Sequence, residues 1–256
     1  MGEHMRVDED GPVLTVTFTR LEKRNAVSDE MFDALRAALR SMQERADLRV
    51  LVLTGEGEWF TAGLDLQGGF ARGLYEPAEH QGQAFRQRYR QLHLLFDDIE
   101  ATEKPVVLAA QGPCFGVGLE LACSCDIRVA STTTTFSLPE VRFGAVAGSG
   151  GTTRLTRIVG PSWAKWVAMA GQTIDADRAL QIGLVQEVVA PERFTARVRE
   201  LAADLATIPA EGMGLAKLLV DAAVDLDRTT ARHLDRIAVT GLYDTGTVAE
   251  HRQRFE

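Results

Sequence analysis

The sequence predicts an α/β fold around a sheet with parallel pairing, and three observations carry that expectation. Short apolar runs recur at residues 13–19, 50–54, 106–110 and 127–130, with helical stretches between them. Glycine clusters at 55–57, 68–69, 112–118 and 148–151 punctuate the pattern. From Pro161 onward the chain reads as helical almost throughout, with breaks near Gly171, at 183–191 and at 209–214. The expected organisation is an α/β core over residues 1–190 and a helical region over 191–256.

Each element has a local reason. Residues 13–19 alternate strictly, with Leu14, Val16 and Phe18 on one face and Val13, Thr15, Thr17 and Thr19 on the other, as in a half-buried strand. Ser28 stands as N-cap of a helix whose first turn holds Asp29 and Glu30, where the helix dipole favours acids. Met31, Leu35, Ala38, Leu39 and Met42 mark the buried stripe of that helix. The runs at 50–54, 106–110 and 127–130 are short and mostly apolar, broken only by Thr54 and Arg128, which suits strands covered on both faces. Residues 66–89 are poorly patterned and contain glycine, so they read as a long loop of the functional or mobile kind.

Bulk properties narrow the function. A chain of 256 residues can bury a substantial core. Its formal charge of −8 argues against a nucleic-acid or membrane-surface binder, since both partners want a basic face. An anionic small ligand remains open, because a few local arginines can hold a phosphate against the global sign. Cys114, Cys123 and Cys125 lie close together, with no second Cys or His cluster at metal-ligand spacing, and read as free thiols in a reducing cytoplasm. No basic segment leads into an apolar stretch at the start, and no run approaches the roughly 18 apolar residues of a membrane span. The expected location is cytoplasmic.

The strongest chemical feature is the run Gln111-Gly112-Pro113-Cys114-Phe115-Gly116-Val117-Gly118-Leu119-Glu120-Leu121-Ala122. It leaves a strand and turns helical, so it presents free backbone N–H groups at a helix N-terminus with Glu120 beside them. No Gly-Lys-Ser/Thr follows, so it is not a P-loop. A second carboxylate, Glu140, follows Pro139, ahead of the turn Gly148-Ser149-Gly150-Gly151-Thr152. Two carboxylates on separate turns suit paired general acid/base work when their surroundings separate their protonation states. A third turn, Phe60-Thr61-Ala62-Gly63-Leu64-Asp65, has small residues that let a ligand approach the backbone.

In their order and spacing these segments resemble the crotonase (enoyl-CoA hydratase/isomerase) superfamily. Arg24-Asn25-Ala26, Cys125-Asp126, Ala170-Gly171 and Gly183-Leu184-Val185 strengthen the resemblance, which runs from about Val13 to Val189. It implies a β-β-α spiral core with a helical C-terminal trimerisation region, and assembly as a homotrimer or a dimer of trimers. It also implies an acyl-CoA thioester substrate, with no cofactor beyond the CoA the substrate carries and no metal. By the same resemblance, the Ala62 and Val117 N–H groups would hold the thioester oxygen, Glu120 and Glu140 would flank one water, and the Gly148 N–H would orient a carboxylate. Arg24, Ala26, Ala62, Gly63, Leu64 and Asp65 would line the CoA channel, with Arg24 as a phosphate partner.

The paired glutamates favour an enoyl-CoA hydratase over a dienoyl-CoA isomerase, which carries an Asp where Glu120 stands. They also favour it over a Δ3,Δ2-isomerase, which generally uses one carboxylate. The alternatives are an isomerase on the same fold and a non-catalytic acyl-CoA-binding member. Val117 favours the last of these: the family usually places Gly or Ala there, and a stiff β-branched residue would narrow the acyl pocket or misalign the donor. None of His4, His80, His93, His233 or His251 falls in a motif turn, so all five read as surface or core histidines. Phe70, Tyr75, Phe85, Tyr89, Phe115 and Trp163 are candidate pocket walls.

Overall fold

A computed structural model describes residues 4–69, 71–72, 81–244 and 246–252. The strands β1 (Met5–Asp10) and β2 (Val13–Phe18) form an antiparallel hairpin. Parallel pairing then links β2 to β3 (Val50–Gly55) and β3 to β4 (Val106–Ala110). It continues from β4 to β6 (Ile127–Ser131) and from β6 to β9 (Glu187–Val189), completing a six-stranded sheet. A smaller sheet sets β5 (Cys114–Phe115) parallel to β7 (Thr135–Ser137), with β8 (Ile174–Asp175) antiparallel on the other side of β7.

The apolar runs are explained by two cores, one on each face of the large sheet. Leu51, Leu53, Val106, Leu108, Ala110 and Ala130 join the main core, together with Leu14, Val16 and Phe18 from β2. Their neighbours Val50, Val52, Val107, Ala109 and Val129 face a second core instead. That second core is closed by Phe194, Val198 and Ala202 of the helix α6 (Pro191–Thr207). The period of two along each strand thus sends alternate residues into different cores, and a polar side chain such as the buried Arg128 of β6 is held there by donating to the carbonyls of Leu184 at 2.6 Å and Ala122 at 3.2 Å.

The helix α1 (Asp29–Glu44) buries the expected stripe of Met31, Leu35, Ala38, Leu39 and Met42, and Phe32 as well. Ser28 occupies the N-cap position, but its hydroxyl makes no capping bond and is buried without a partner among the described residues. The expected loop at 66–89 ends early: α2 (Gln81–Ala101) begins within it, while residues 70 and 73–80 lie outside the described residues. Three further helices complete the core: α3 (Val117–Ser124), α4 (Gly151–Ala164) and α5 (Ala176–Gln181). After α6 come α7 (Ala210–Asp225), α8 (Arg228–Asp244) and α9 (Thr247–Arg252). Lys217 of α7 ties this region back to the core, donating to Asp126 at 3.0 Å and to the Ile99 carbonyl at 3.3 Å.

Two strands of the large sheet escape the sequence pattern, as do the three short strands of the small sheet. β1 carries mostly charged residues because it is an edge strand with only Met5 buried. β9 sits inside the break expected at 183–191, and three residues are too few to show a period.

Candidate active site

The site forms where three turns meet. Residues 24–27 run beside 61–65: the Ala62 N–H donates to the Arg24 carbonyl at 2.9 Å, the Val27 N–H to Gly63 at 2.8 Å, and the Asp65 N–H to Val27 at 3.0 Å. Arg24 and Asn25 both take left-handed backbone angles, with φ of 51° and 55°. The buried Asn25 amide holds that strained turn by donating to the carbonyls of Glu56 at 3.0 Å and Trp59 at 2.7 Å. Thr61 reinforces it through its hydroxyl, which donates to the Asn25 carbonyl at 2.7 Å. A parallel bridge between Thr61 and Cys114 brings the second turn alongside.

This geometry corrects one expected donor. The Ala62 N–H is already bonded to Arg24, so it is not available to a ligand oxygen. The left-handed φ of 105° at Gly63 interrupts the regular pairing, and the next N–H, that of Leu64, has no partner among the described residues. Gly63 lies against the Phe115–Gly116 backbone, which places Leu64 close to the start of α3. There the Val117 N–H opens the helix and is likewise unpartnered among the described residues. The Val117 side chain, the suspected obstruction, is buried in the main core.

Glu120 follows one turn later on α3 and is only 4% exposed. Its Oε1 accepts from the N–H groups of Ser149 at 2.9 Å and Gly151 at 3.2 Å. Gly148 was expected to orient a carboxylate; its neighbours Ser149 and Gly151 do so, and the Gly148 carbonyl instead accepts from His93 Nε2 at 2.6 Å. Burial, and then the nearby Glu140 charge, push the Glu120 carboxyl up to about 7 against the opposing pull of those two N–H groups.

Glu140 sits on a short 3-10 helix (Pro139–Phe143) and points back to the start of α3. A methyl group on Gly116 would lie 2.8 Å from its Oε1, and Gly116 itself has φ 55° and ψ −123°, a conformation only glycine adopts freely. Glycine at 116 is therefore what lets a carboxylate rest beside the free N–H groups. Glu140 Oε2 is buried without a hydrogen-bond partner among the described residues, and burial raises its affinity for a proton.

The expected CoA-channel residues divide into two groups. Asp65 belongs to the scaffold: Arg20 donates to its Oδ2 at 2.6 Å and the Gln67 N–H to its Oδ1 at 3.0 Å. Burial opposes its charge, but Arg20, the Gln67 N–H and the Lys23 charge together keep the Asp65 carboxyl below its ordinary range. Ala26 supports the same anchor, its carbonyl accepting from Arg20 at 3.1 Å. Arg24 is exposed, with its guanidinium 5.2 Å from the centre of the Trp59 ring, so its cationic end is open to solvent. Ala62 is exposed and Leu64 half-buried along the same edge.

Of the candidate walls, Phe85 and Tyr89 line a cleft of about 800 Å³ that includes Gly148, while Phe115 packs edge-on against Trp59 at 5.4 Å. Trp163 packs on the main core with Arg178 5.2 Å from its ring centre. Phe70, Tyr75 and His80 lie outside the described residues.

Residues 8–256 match the family model for enoyl-CoA hydratase/isomerase. The chain belongs to that family. As a family member it is 33% identical over 230 residues to the short-chain-enoyl-CoA hydratase of Clostridium acetobutylicum, spanning 88% of this chain and 84% of the relative. It is 31% identical to the crotonyl-CoA hydratase of Syntrophomonas wolfei, covering 91% of this chain and 88% of that one. A protein from Thermobifida fusca solved in complex with CoA superposes with a TM-score of 0.83 at 29% identity, covering 96% of this enoyl-CoA hydratase/isomerase family chain and 95% of its own. The family fold, a mixed α/β core followed by helices, is the one expected from the sequence.

Sequence reasoning placed Leu64 in the CoA channel but not as a donor, and gave no role in the site to Ser149, Gly151 or His93. Three of them act through backbone N–H groups, which leave no side-chain signature. His93 acts through a contact with a loop 55 residues away.

Proposed function

We propose that this chain adds water across the double bond of a trans-2-enoyl-CoA thioester. The observation that carries the reading is the meeting of two N–H groups that have no partner among the described residues, Leu64 and Val117, with the buried Glu120 and the half-buried Glu140, whose Oε2 is turned away from solvent. The thioester oxygen sits between the two donors, which stabilise the enolate-like charge that forms as water attacks the β-carbon; each such donor is worth about 10²–10³ in rate. Glu120 takes the proton of the attacking water, and Glu140 delivers a proton to the α-carbon. This assignment follows from hydrogen bonding: two N–H groups favour the ionised form of Glu120, while the partnerless Glu140 Oε2 favours a proton.

The reaction draws on no metal or prosthetic group, since the donors and the carboxylate pair supply both charge stabilisation and proton transfer. Arg24 is the partner for a CoA phosphate, supported by its exposure at the edge of the 24–27 turn. The acting form is a homotrimer or a dimer of trimers, supported by apolar side chains left in solvent on α7 and α8. Three buried, unpaired thiols suit a reducing compartment, and we place the activity in the cytoplasm.

The test is loss of the conjugated enoyl-thioester absorbance with crotonyl-CoA and with a longer trans-2-enoyl-CoA. Wild type is expected to turn over, and Glu120→Gln and Glu140→Gln each to lose at least about a hundredfold in kcat. Binding of CoA thioesters without any turnover in wild type would sink the hydratase reading.

A further inference from the structure

One face of α2 is built as a clamp on the loop that holds Glu120. His93, Asp97 and Glu100 are spaced i, i+4 and i+7, so they share that face. His93 Nε2 contacts the Gly148 carbonyl at 2.6 Å; a carbonyl only accepts, so this nitrogen carries the hydrogen. Asp97 and Glu100 act one step removed, through Arg154: its guanidinium pairs with Asp97 at 2.6 Å and Glu100 at 2.8 Å, and donates to the Ser149 carbonyl at 3.2 Å. Successive carbonyls of the loop are therefore fixed from the same helix.

The His93 contact is the more direct of the two. The Gly148 carbonyl and the Ser149 N–H belong to one peptide group, and that N–H is the 2.9 Å donor to Glu120 Oε1. A hydrogen bond to the carbonyl oxygen polarises the peptide, strengthens its N–H as a donor, and fixes the plane in which it points. Tyr89, one turn earlier on α2, leaves no room for a side chain at 148: a methyl group there would lie 2.7 Å from its ring. Helix, loop and carboxylate are thus in continuous contact.

We propose that His93 is a positioning residue for Glu120, acting through the Gly148–Ser149 peptide group; the proposal rests on the hydratase reading for its kinetic consequence but not for its structural one. His93 touches neither the carboxylates nor the two oxyanion donors. Among the described residues, the titratable or charged groups around it are Tyr89, Arg86, Arg90 and Asp97 on α2, and the facing loop 144–148 contributes none. Losing the carbonyl bond weakens the Ser149 donor, so the ionised form of Glu120 loses support and its carboxyl rises further above the ordinary range.

The experiment compares wild type, His93→Leu and His93→Gln. The glutamine side chain keeps an N–H that can reach the same carbonyl, whereas leucine keeps only bulk. Glu120 is titrated in the free protein by carbon-13 NMR of labelled glutamate carboxyls, assigned by loss of the signal in Glu120→Gln. In parallel, kcat, KM and the pH profile are measured with crotonyl-CoA. His93→Leu is expected to titrate Glu120 at higher pH than wild type and to lower kcat by about tenfold, the scale on which supporting hydrogen bonds act elsewhere. KM should stay within about twofold of wild type. His93→Gln should restore both titration and kcat. An unmoved Glu120 titration in His93→Leu, a change in KM alone, or a glutamine variant no better than leucine would each overturn the proposal. If wild type fails to hydrate, the hydratase reading falls, while the NMR comparison still decides the role of His93.

Discussion

At the scale of single residues, the site concentrates its cost in two carboxyl groups that prefer to be neutral. Glu120 and Glu140 are both raised, so the pair holds its last proton unusually late and titrates as a unit. Hydration needs one ionised and one protonated member, which predicts a bell-shaped kcat/KM profile. Its basic limb should fall where the coupled pair gives up its last proton, near about 7, a value that belongs to the pair because the Glu140 charge contributes to it, and in the working form that proton sits on Glu140; rates with crotonyl-CoA between about pH 5 and about pH 9 check this. The same shift has a consequence for stability. The folded-state value of about 7 lies above the ordinary 4.5, so the folded protein binds this proton more tightly than the unfolded chain, and stability is lost as pH rises between the two values. At one pKa unit per 1.36 kcal/mol, the loss amounts to about 3 kcal/mol. Glu120→Gln keeps an acceptor for Ser149 and Gly151 without the charge. It should therefore be more stable than wild type at about pH 8 by up to that amount, with the gap closing as pH falls toward about 4.5, as read by urea melts across pH. A dead enzyme that is also a more stable protein would show what the buried charge costs.

At the scale of elements, the turns matter more than the strands and helices they join. The strands were legible because two-sided burial forces apolar runs, and α1 because its stripe repeats at helical spacing. The three turns were legible only as glycine-rich breaks, and their working parts are backbone groups that any residue type could supply. The choice between Ala62 and Leu64 as donor shows the limit: the two flank Gly63 in sequence, and only the left-handed backbone at Gly63 and the Ala62–Arg24 hydrogen bond separate them. Arg20 and Asp65 show the converse case, an acid that looked like part of a ligand channel but anchors the turn. Their side chains are 13% and 11% exposed, so breaking the pair strands a largely buried charge. Arg20→Met should cost about 3 kcal/mol in denaturant melts, and adding Asp65→Asn should return part of that loss, because the stranded charge is gone. An Arg20→Met protein with wild-type stability would remove the anchor from the account.

At the scale of the whole molecule, burial is uneven in a way that one chain does not resolve. Both faces of the large sheet are closed by the chain's own helices, yet α7 leaves Val220 66% and Val224 59% exposed, and α8 leaves Ile237 69% exposed. A second group, Phe143, Val146, Trp166 and Met169, is exposed near the 3-10 helix that carries Glu140. Apolar side chains grouped in this way mark surfaces that a partner covers, and Leu218 on α7, 43% exposed, adds to the group. Copies of one chain most often assemble with closed symmetry, and in the proposed trimer or dimer of trimers these are the faces that would meet. Replacing Val224 and Ile237 together by Glu places two charges on such a face while leaving the sheet and both carboxylates untouched. Light scattering behind size exclusion should then give monomer where wild type gives the assembly, with far-UV circular dichroism unchanged. The position of Phe143 and Val146 adds a second readout: if assembly also braces the segment holding Glu140, the monomeric variant loses kcat as well as partners. Full activity in a monomer would separate assembly from catalysis, and an unchanged assembly would place the contact surface elsewhere than α7 and α8.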